Sequence, residues 1–237
     1  GGSITLMGGG VSNQGLIVAE LGQVTLAAGG GASLDFDGDG LLFFEITGDV
    51  LENTGVLDSA VSNSGEIDAN GGQVLLTARA AKDVFTNVVN NEGIIRAQRI
   101  DNTGGVIRLV GSGGDVYASG DLDASGADSE STGGTVQVLG DRVALYGDAS
   151  IDVSGDAGGG LVQIGGAFQG SDPNVMNASH TYVGADIQVN ADARVAGDGG
   201  EVIVWADDTT QYYGTSSARG AGSDGHGGFA EVSGKDQ

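Results

Sequence analysis

The chain has 237 residues with 47 Gly, one Pro and no Cys, and its 32 acidic against 9 basic residues give a formal charge of −23. Such a surface repels a phosphate backbone and an anionic bilayer, which argues against nucleic acid or a membrane face as partner. The missing Cys removes disulfides, thiol catalysis and zinc–thiolate sites, and no run of residues approaches the roughly 18 apolar positions of a membrane span.

From the first residues onward one phrase returns: Gly, any residue, then aliphatics in alternation. It reads Gly2-Ser3-Ile4-Thr5-Leu6, then Gly22-Gln23-Val24-Thr25-Leu26, Gly72-Gln73-Val74-Leu75-Leu76 and Gly105-Val106-Ile107-Arg108-Leu109. Later copies start at Gly134, Gly160, Gly200 and Gly228. Period-two alternation marks strands with one buried face. The leading glycines lie between 20 residues (Gly2 to Gly22) and 50 residues (Gly22 to Gly72) apart, and the longest gap reads as two turns of the repeat. A second phrase accompanies the first: Asn13-Gln14-Gly15, Asn53-Thr54-Gly55, Asn63-Ser64-Gly65 and Asn91-Glu92-Gly93. Asn tolerates left-handed backbone, and its amide can bond the adjacent turn, so these read as stacked corners.

Residues 35–46 open with Asp35-Phe36-Asp37-Gly38-Asp39-Gly40. Asp35, Asp37 and Asp39 match the first half of a calcium loop, but Ile46 stands at the twelfth place, where a bidentate acid belongs. A β-hairpin with an Asp-Gly turn is the plainer reading. Over 78–91 the alternation stops, and Ala81, Val84, Phe85 and Val88 follow helical spacing, which predicts a short amphipathic helix packed on the outside.

The clearest unit runs from Gly134 to Gly159: Val136-Gln137-Val138, Val143-Ala144-Leu145 and Ile151-Asp152-Val153, separated by Gly- and Asp-containing turns. Three short strands in 26 residues cannot close a core alone, whereas stacked copies bury the same aliphatics against one another. The sequence therefore predicts an all-β chain, a single parallel β-helix over 1–237 of about eight or nine rungs, in preference to a β-sandwich of hairpins. Residues 166–182, around the sole Pro173, read as an extruded loop. In Gly200-Glu201-Val202-Ile203-Val204-Trp205 the phase points Ile203 and Trp205 outward. Trp205, with Tyr212 and Tyr213 close behind, is a candidate for stacking on sugar rings; the competing reading covers Trp205 with the 166–182 loop.

Groups for catalysis are few. The chain has two His, His180 and His226, and neither Gly-x-Ser-x-Gly nor His-Glu-x-x-His. Arg108, Arg142 and Arg194 read as partners of the acidic surface. Asp123, Asp128, Asp141, Asp148, Asp152, Asp156, Asp198 and Asp224 sit in or beside turns, where side-chain-to-backbone bonding is their first use. No catalytic residue and no cofactor is expected, loose calcium capture apart.

Taken together, Gly71-Gly72-Gln73-Val74-Leu75-Leu76-Thr77-Ala78-Arg79-Ala80-Ala81, Asn90-Asn91-Glu92-Gly93-Ile94-Ile95-Arg96-Ala97, Leu122-Asp123-Ala124-Ser125-Gly126, Gly133-Gly134-Thr135-Val136-Gln137-Val138-Leu139-Gly140 and Ile151-Asp152-Val153-Ser154-Gly155 resemble filamentous-haemagglutinin-type exoproteins of two-partner secretion. The resemblance implies a right-handed parallel β-helix, export through an outer-membrane transporter partner, and an extracellular or cell-surface adhesin that meets a host-cell, glycan or neighbouring-cell receptor. That family's Asn-Pro-Asn-Leu and Asn-Pro-Asn-Gly secretion motifs do not occur; Asp172-Pro173-Asn174 comes nearest, at an unrelated position. The chain begins and ends inside repeat phrases, which reads as a segment of a longer protein with end-to-end self-association open to it. Two alternatives stand beside the structural adhesin segment: a carbohydrate-binding or carbohydrate-cleaving β-helix, and a calcium-organised matrix or surface-layer protein.

Overall fold

The computed structural model describes residues 1–37, 41–53 and 57–235, with backbone alone at 34–37 and 41–44. Three parallel sheets run the length of a coil. The first contains Ser3–Gly8, Gln23–Ala28, Gln73–Arg79, Val106–Ser112, Thr135–Leu139, Leu161–Ile164, Glu201–Ala206 and Phe229–Gly234. The second contains Val11–Asn13, Ser59–Asn63, Asn87–Asn91, Asp115–Ala118, Arg142–Leu145, His180–Val183 and Thr209–Tyr212. The third contains Leu16–Val18, Glu66–Asp68, Ile94–Arg96, Leu122–Asp123, Ser150–Asp152, Gln188–Asn190 and Thr215–Ser217. Among the described residues this makes seven complete turns and the opening strand of an eighth. The fold is a parallel β-helix, and a sandwich of hairpins is ruled out because the one antiparallel strand pair among the described residues is an insertion, Gly31–Asp37 against Leu41–Gly48.

Vertical register explains the core. In the first sheet Val24, Val74, Ile107, Val136, Val162 and Val202 are register partners. Two residues on, Leu26, Leu76, Leu109, Val138, Ile164 and Val204 form a second column, and all twelve side chains are essentially inaccessible. The third sheet adds Ile67, Ile95, Leu122, Ile151 and Val189. Each such side chain contributes about 1.5–3 kcal/mol relative to exposure, and no turn can obtain it without the turns above and below.

The leading glycines have a steric cause. A Cβ on Gly72 would sit 1.8 Å from the Gly22 carbonyl oxygen, and one on Gly134 would sit 2.0 Å from that of Gly105. The same carbonyls are in use: Gln73 N–H donates to Gly22 O at 2.9 Å and Thr135 N–H to Gly105 O at 2.7 Å. Successive turns therefore touch backbone to backbone at this corner, and only a residue without a side chain fits. Asp123 and Asp152 of the third sheet do the turn work foreseen for them, and Asp68 does the same. Asp68, Asp123 and Asp152 hold equivalent positions, and each accepts a bond from the N–H two residues on, from Asn70, Ser125 and Ser154.

Three expectations need correction. The helix expected over 78–91 is absent: strand continues to Arg79, Asp83 takes a positive φ of 64°, and a new strand begins at Asn87. The helical spacing of Ala81, Val84, Phe85 and Val88 arises from a turn that tucks Val84 and Phe85 against the core and a β-branched strand that buries Val88. The 50-residue gap holds one turn, because Gln23–Ala28 pairs directly with Gln73–Arg79 and the surplus includes the 31–48 hairpin. Asn53 stands outside the Asn column and donates to the Leu57 carbonyl.

Candidate functional site

The excursion within turn six, between its first and second strands, answers the question about Trp205. Residues 165–179 leave the first sheet after Ile164, form one short turn at Phe168–Gly170 and return through Ala178, whose N–H reaches Gly165 O at 2.6 Å. Gly166 and Gly170 lie directly against the indole: a Cβ on either would come within 2.7 Å of a ring atom. Trp205 is thereby buried, its Nε1 donating to Asp207 Oδ1 at 3.2 Å, and Ile203 is wholly covered. Asn177 Nδ2 ties the loop down by donating to Gly170 O. The side chain projects outward as the phase required, but the loop occupies the face a sugar would need.

The other two aromatic candidates part company. Tyr212 follows Ala118, Leu145 and Val183 in an inward column, and its hydroxyl pairs with Ser216. Burial pushes its phenol above the ordinary value, opposed by that hydrogen bond. Tyr213 alone is well exposed, on the outside of the coil. Asp39 lies outside the described residues, and of Asp35 and Asp37 only the backbone is described, on the 31–37 hairpin strand. No group of three or more His, Cys, Asp or Glu that could hold a metal ion occurs among the described residues.

A cluster of chemistry that sequence reasoning missed sits on the outer face of the second sheet. Asp115, Arg142, His180 and Thr209 form one register column there, and Tyr117, Ala144, Tyr182 and Gln211 form the next. At the corner just beyond, Ser119, Tyr146, Gly184 and Tyr213 follow one another, each N–H donating to the carbonyl of the strand's last residue one turn earlier. Tyrosines thus alternate between two columns over four turns. Tyr117 meets Tyr146 edge-on with centroids 6.1 Å apart, and Tyr182 meets Tyr213 at 5.9 Å. Between the two pairs stand Ala144 and Gly184, the smallest side chains available.

The polar column is neutralised internally. Arg142 Nε and Nη2 donate to the two carboxylate oxygens of Asp115 at 2.8 and 2.7 Å, a bidentate pair. Asp115 is nearly inaccessible while Arg142 reaches into solvent. Tyr117 Oη donates to Asp115 Oδ2 at 3.1 Å. Burial and the Asp115 charge raise the Tyr117 phenol, and Asp115 also holds the Arg142 guanidinium above its ordinary value. The depression bounded by Tyr117, Ala144 and Tyr182 has a volume of about 310 Å³, with Arg142 and His180 on one side and Thr209 and Gln211 at one end. Chemically it offers aromatic surfaces, hydroxyls and guanidinium N–H groups without a net charge from the ion pair. Aligning the second-strand phrases Asp115-Val116-Tyr117-Ala118, Arg142-Val143-Ala144-Leu145 and His180-Thr181-Tyr182-Val183 was the available signal.

No protein-family model matches the chain, and no curated protein matches it. Among solved structures it is similar to the crystal structure of the HMW1 secretion domain from Haemophilus influenzae, with a TM-score of 0.73 and 26% identity over 99% of this chain. The chain spans 58% of the length of that neighbour. No helix among the described residues is long and apolar enough to cross a membrane. The parallel β-helix described here is the architecture it shares with that secretion domain.

Proposed function

We propose that the chain is a structural β-helical segment of a secreted bacterial surface adhesin exported by the two-partner route, holding binding surfaces away from the cell. The observation that carries the reading is the likeness to a secretion domain over 99% of this chain. The physical character of the coil supports it. Every turn repeats one short set of contacts, the chain has no Cys to pair, and the single Pro lies in the 165–179 loop and not in a strand. A chain of this kind can cross a transporter unfolded and gain its interior turn by turn outside.

The test is to fuse the chain behind the secretion motifs of a two-partner exoprotein and co-express that exoprotein's transporter. The reading predicts a released, protease-resistant, β-rich chain in the medium. Retention in the periplasm, or release of a chain that stays protease-sensitive, contradicts it.

A further inference from the structure

We propose that the outer face of the second sheet carries a glycan-binding site in which an uncharged pyranose ring of an oligosaccharide seats over Ala144, between Tyr117 and Tyr182. This goes beyond the export and display role and stands on different observations.

The geometry comes first. Tyr117, Ala144 and Tyr182 occupy the same register position on three consecutive turns. Turns are about 4.8 Å apart, so the two tyrosines are separated by roughly 9.6 Å, with one methyl group where a third large side chain would stand. A six-membered ring entering at the Ala144 level lies about 4.8 Å from each side, within the separation at which aromatic faces engage a partner ring. Each wall packs against a second tyrosine, Tyr182 against Tyr213 on the turn beyond it and Tyr117 against Tyr146 at the corner of Ala144's own turn. The slot is therefore organised before anything binds, which lowers the ordering cost of association.

The chemistry narrows the ligand. A sugar presents apolar C–H faces and a rim of hydroxyls. Arg142 spends two of its five N–H donors on Asp115 and keeps three for such a rim. His180, Thr209 and Gln211 add further polar partners along the same depression. Charge selects against acidic sugars: the one guanidinium is already matched by Asp115, Asp141 adjoins it in sequence, and the whole chain carries −23. A volume of about 310 Å³ suits one or two sugar rings at the low end of ligand pockets, not a protein segment.

The experiment is a printed array of neutral, sialylated and sulfated glycans probed with the wild-type chain, Ala144→Tyr and Tyr182→Ala. Ala144→Tyr fills the slot with a third ring on an outward position, and Tyr182→Ala removes a wall. Circular dichroism melts within about 3 °C of wild type show that both variants keep the coil. The proposal predicts signal on neutral glycans that falls at least tenfold in each variant. Absence of binding to any neutral glycan, binding confined to acidic glycans, or neutral-glycan binding that survives Ala144→Tyr overturns it. None of these results bears on export, so failure here is distinguishable from failure of the proposed secretion role.

Discussion

One inward column of the second sheet is built in two ways. In turns one to three it consists of Asn13, Asn63 and Asn91, and in turns four to seven of Ala118, Leu145, Val183 and Tyr212. The amide half is a ladder: Asn13 Nδ2 donates to Asn63 Oδ1 at 2.8 Å, Asn63 Nδ2 to Asn91 Oδ1 at 2.8 Å, and Asn91 Nδ2 to Gly93 O at 3.0 Å. Ala118, Leu145 and Val183 make no such bonds and are buried as completely. The difference teaches that the interior of this coil requires matched partners one turn apart, not hydrophobicity as such. An amide that finds its copy above and below costs little to bury, and it penalises a slip in register more sharply than a methyl does.

The comparison can be broken at either half. Leu145→Ala empties a fully buried site in the aliphatic half, and we expect a loss of about 3 kcal/mol in urea unfolding. Asn63→Ala removes the middle of the ladder and strips Asn91 Oδ1 of its buried donor, for an expected loss of about 2 kcal/mol by the same measurement. Converting the whole ladder, Asn13→Leu with Asn63→Leu and Asn91→Leu, leaves no amide without its copy and is expected to cost less than about 1 kcal/mol. A triple variant weaker than Asn63→Ala would show that the amides do more than satisfy one another.

The smallest effect belongs to the end of the column. The Tyr212 phenol is raised by burial, so the folded state holds its proton more firmly than the unfolded chain does. Its contribution is complete below pH 10, the unfolded value, and is lost as pH rises through the higher folded value. Wild type should therefore lose more stability than Tyr212→Phe as pH rises from 9 to 11. Identical slopes would place the phenol in water.

Much of this was readable in the residues, and the reason is periodicity. Gly72-Gln73-Val74-Leu75-Leu76 announces an inward pair and a corner in five letters, and its copies align without a structure. The calcium-like Asp35-Phe36-Asp37 stretch fell on the antiparallel hairpin that its preferred reading named. What failed did so where the spacing was ambiguous or the contact was distant. Val84, Phe85 and Val88 satisfy a helical period by coincidence of a turn and a strand. Trp205, by contrast, was correctly phased outward, and the loop around Pro173 named as its cover does cover it. The tyrosine slot was missed because Tyr117, Tyr146, Tyr182 and Tyr213 come from four different turns, and they become neighbours only once the second-strand phrases are set in register.

Register itself can be measured without ambiguity, because the chain has no native Cys. Gln137 and Gln163 are outward register partners whose amides bond at 2.6 Å, whereas Leu161 on the same face pairs with Thr135. Adjacent strand positions lie about 4.8 Å apart, inside disulfide range, and a two-residue slip carries the pair beyond about 7 Å. Gln137→Cys with Gln163→Cys should close an intramolecular disulfide under mild oxidation, and Gln137→Cys with Leu161→Cys should stay reduced. Efficient closure of the second pair, or only intermolecular bonds in the first, would contradict the stacked coil on which the rest depends.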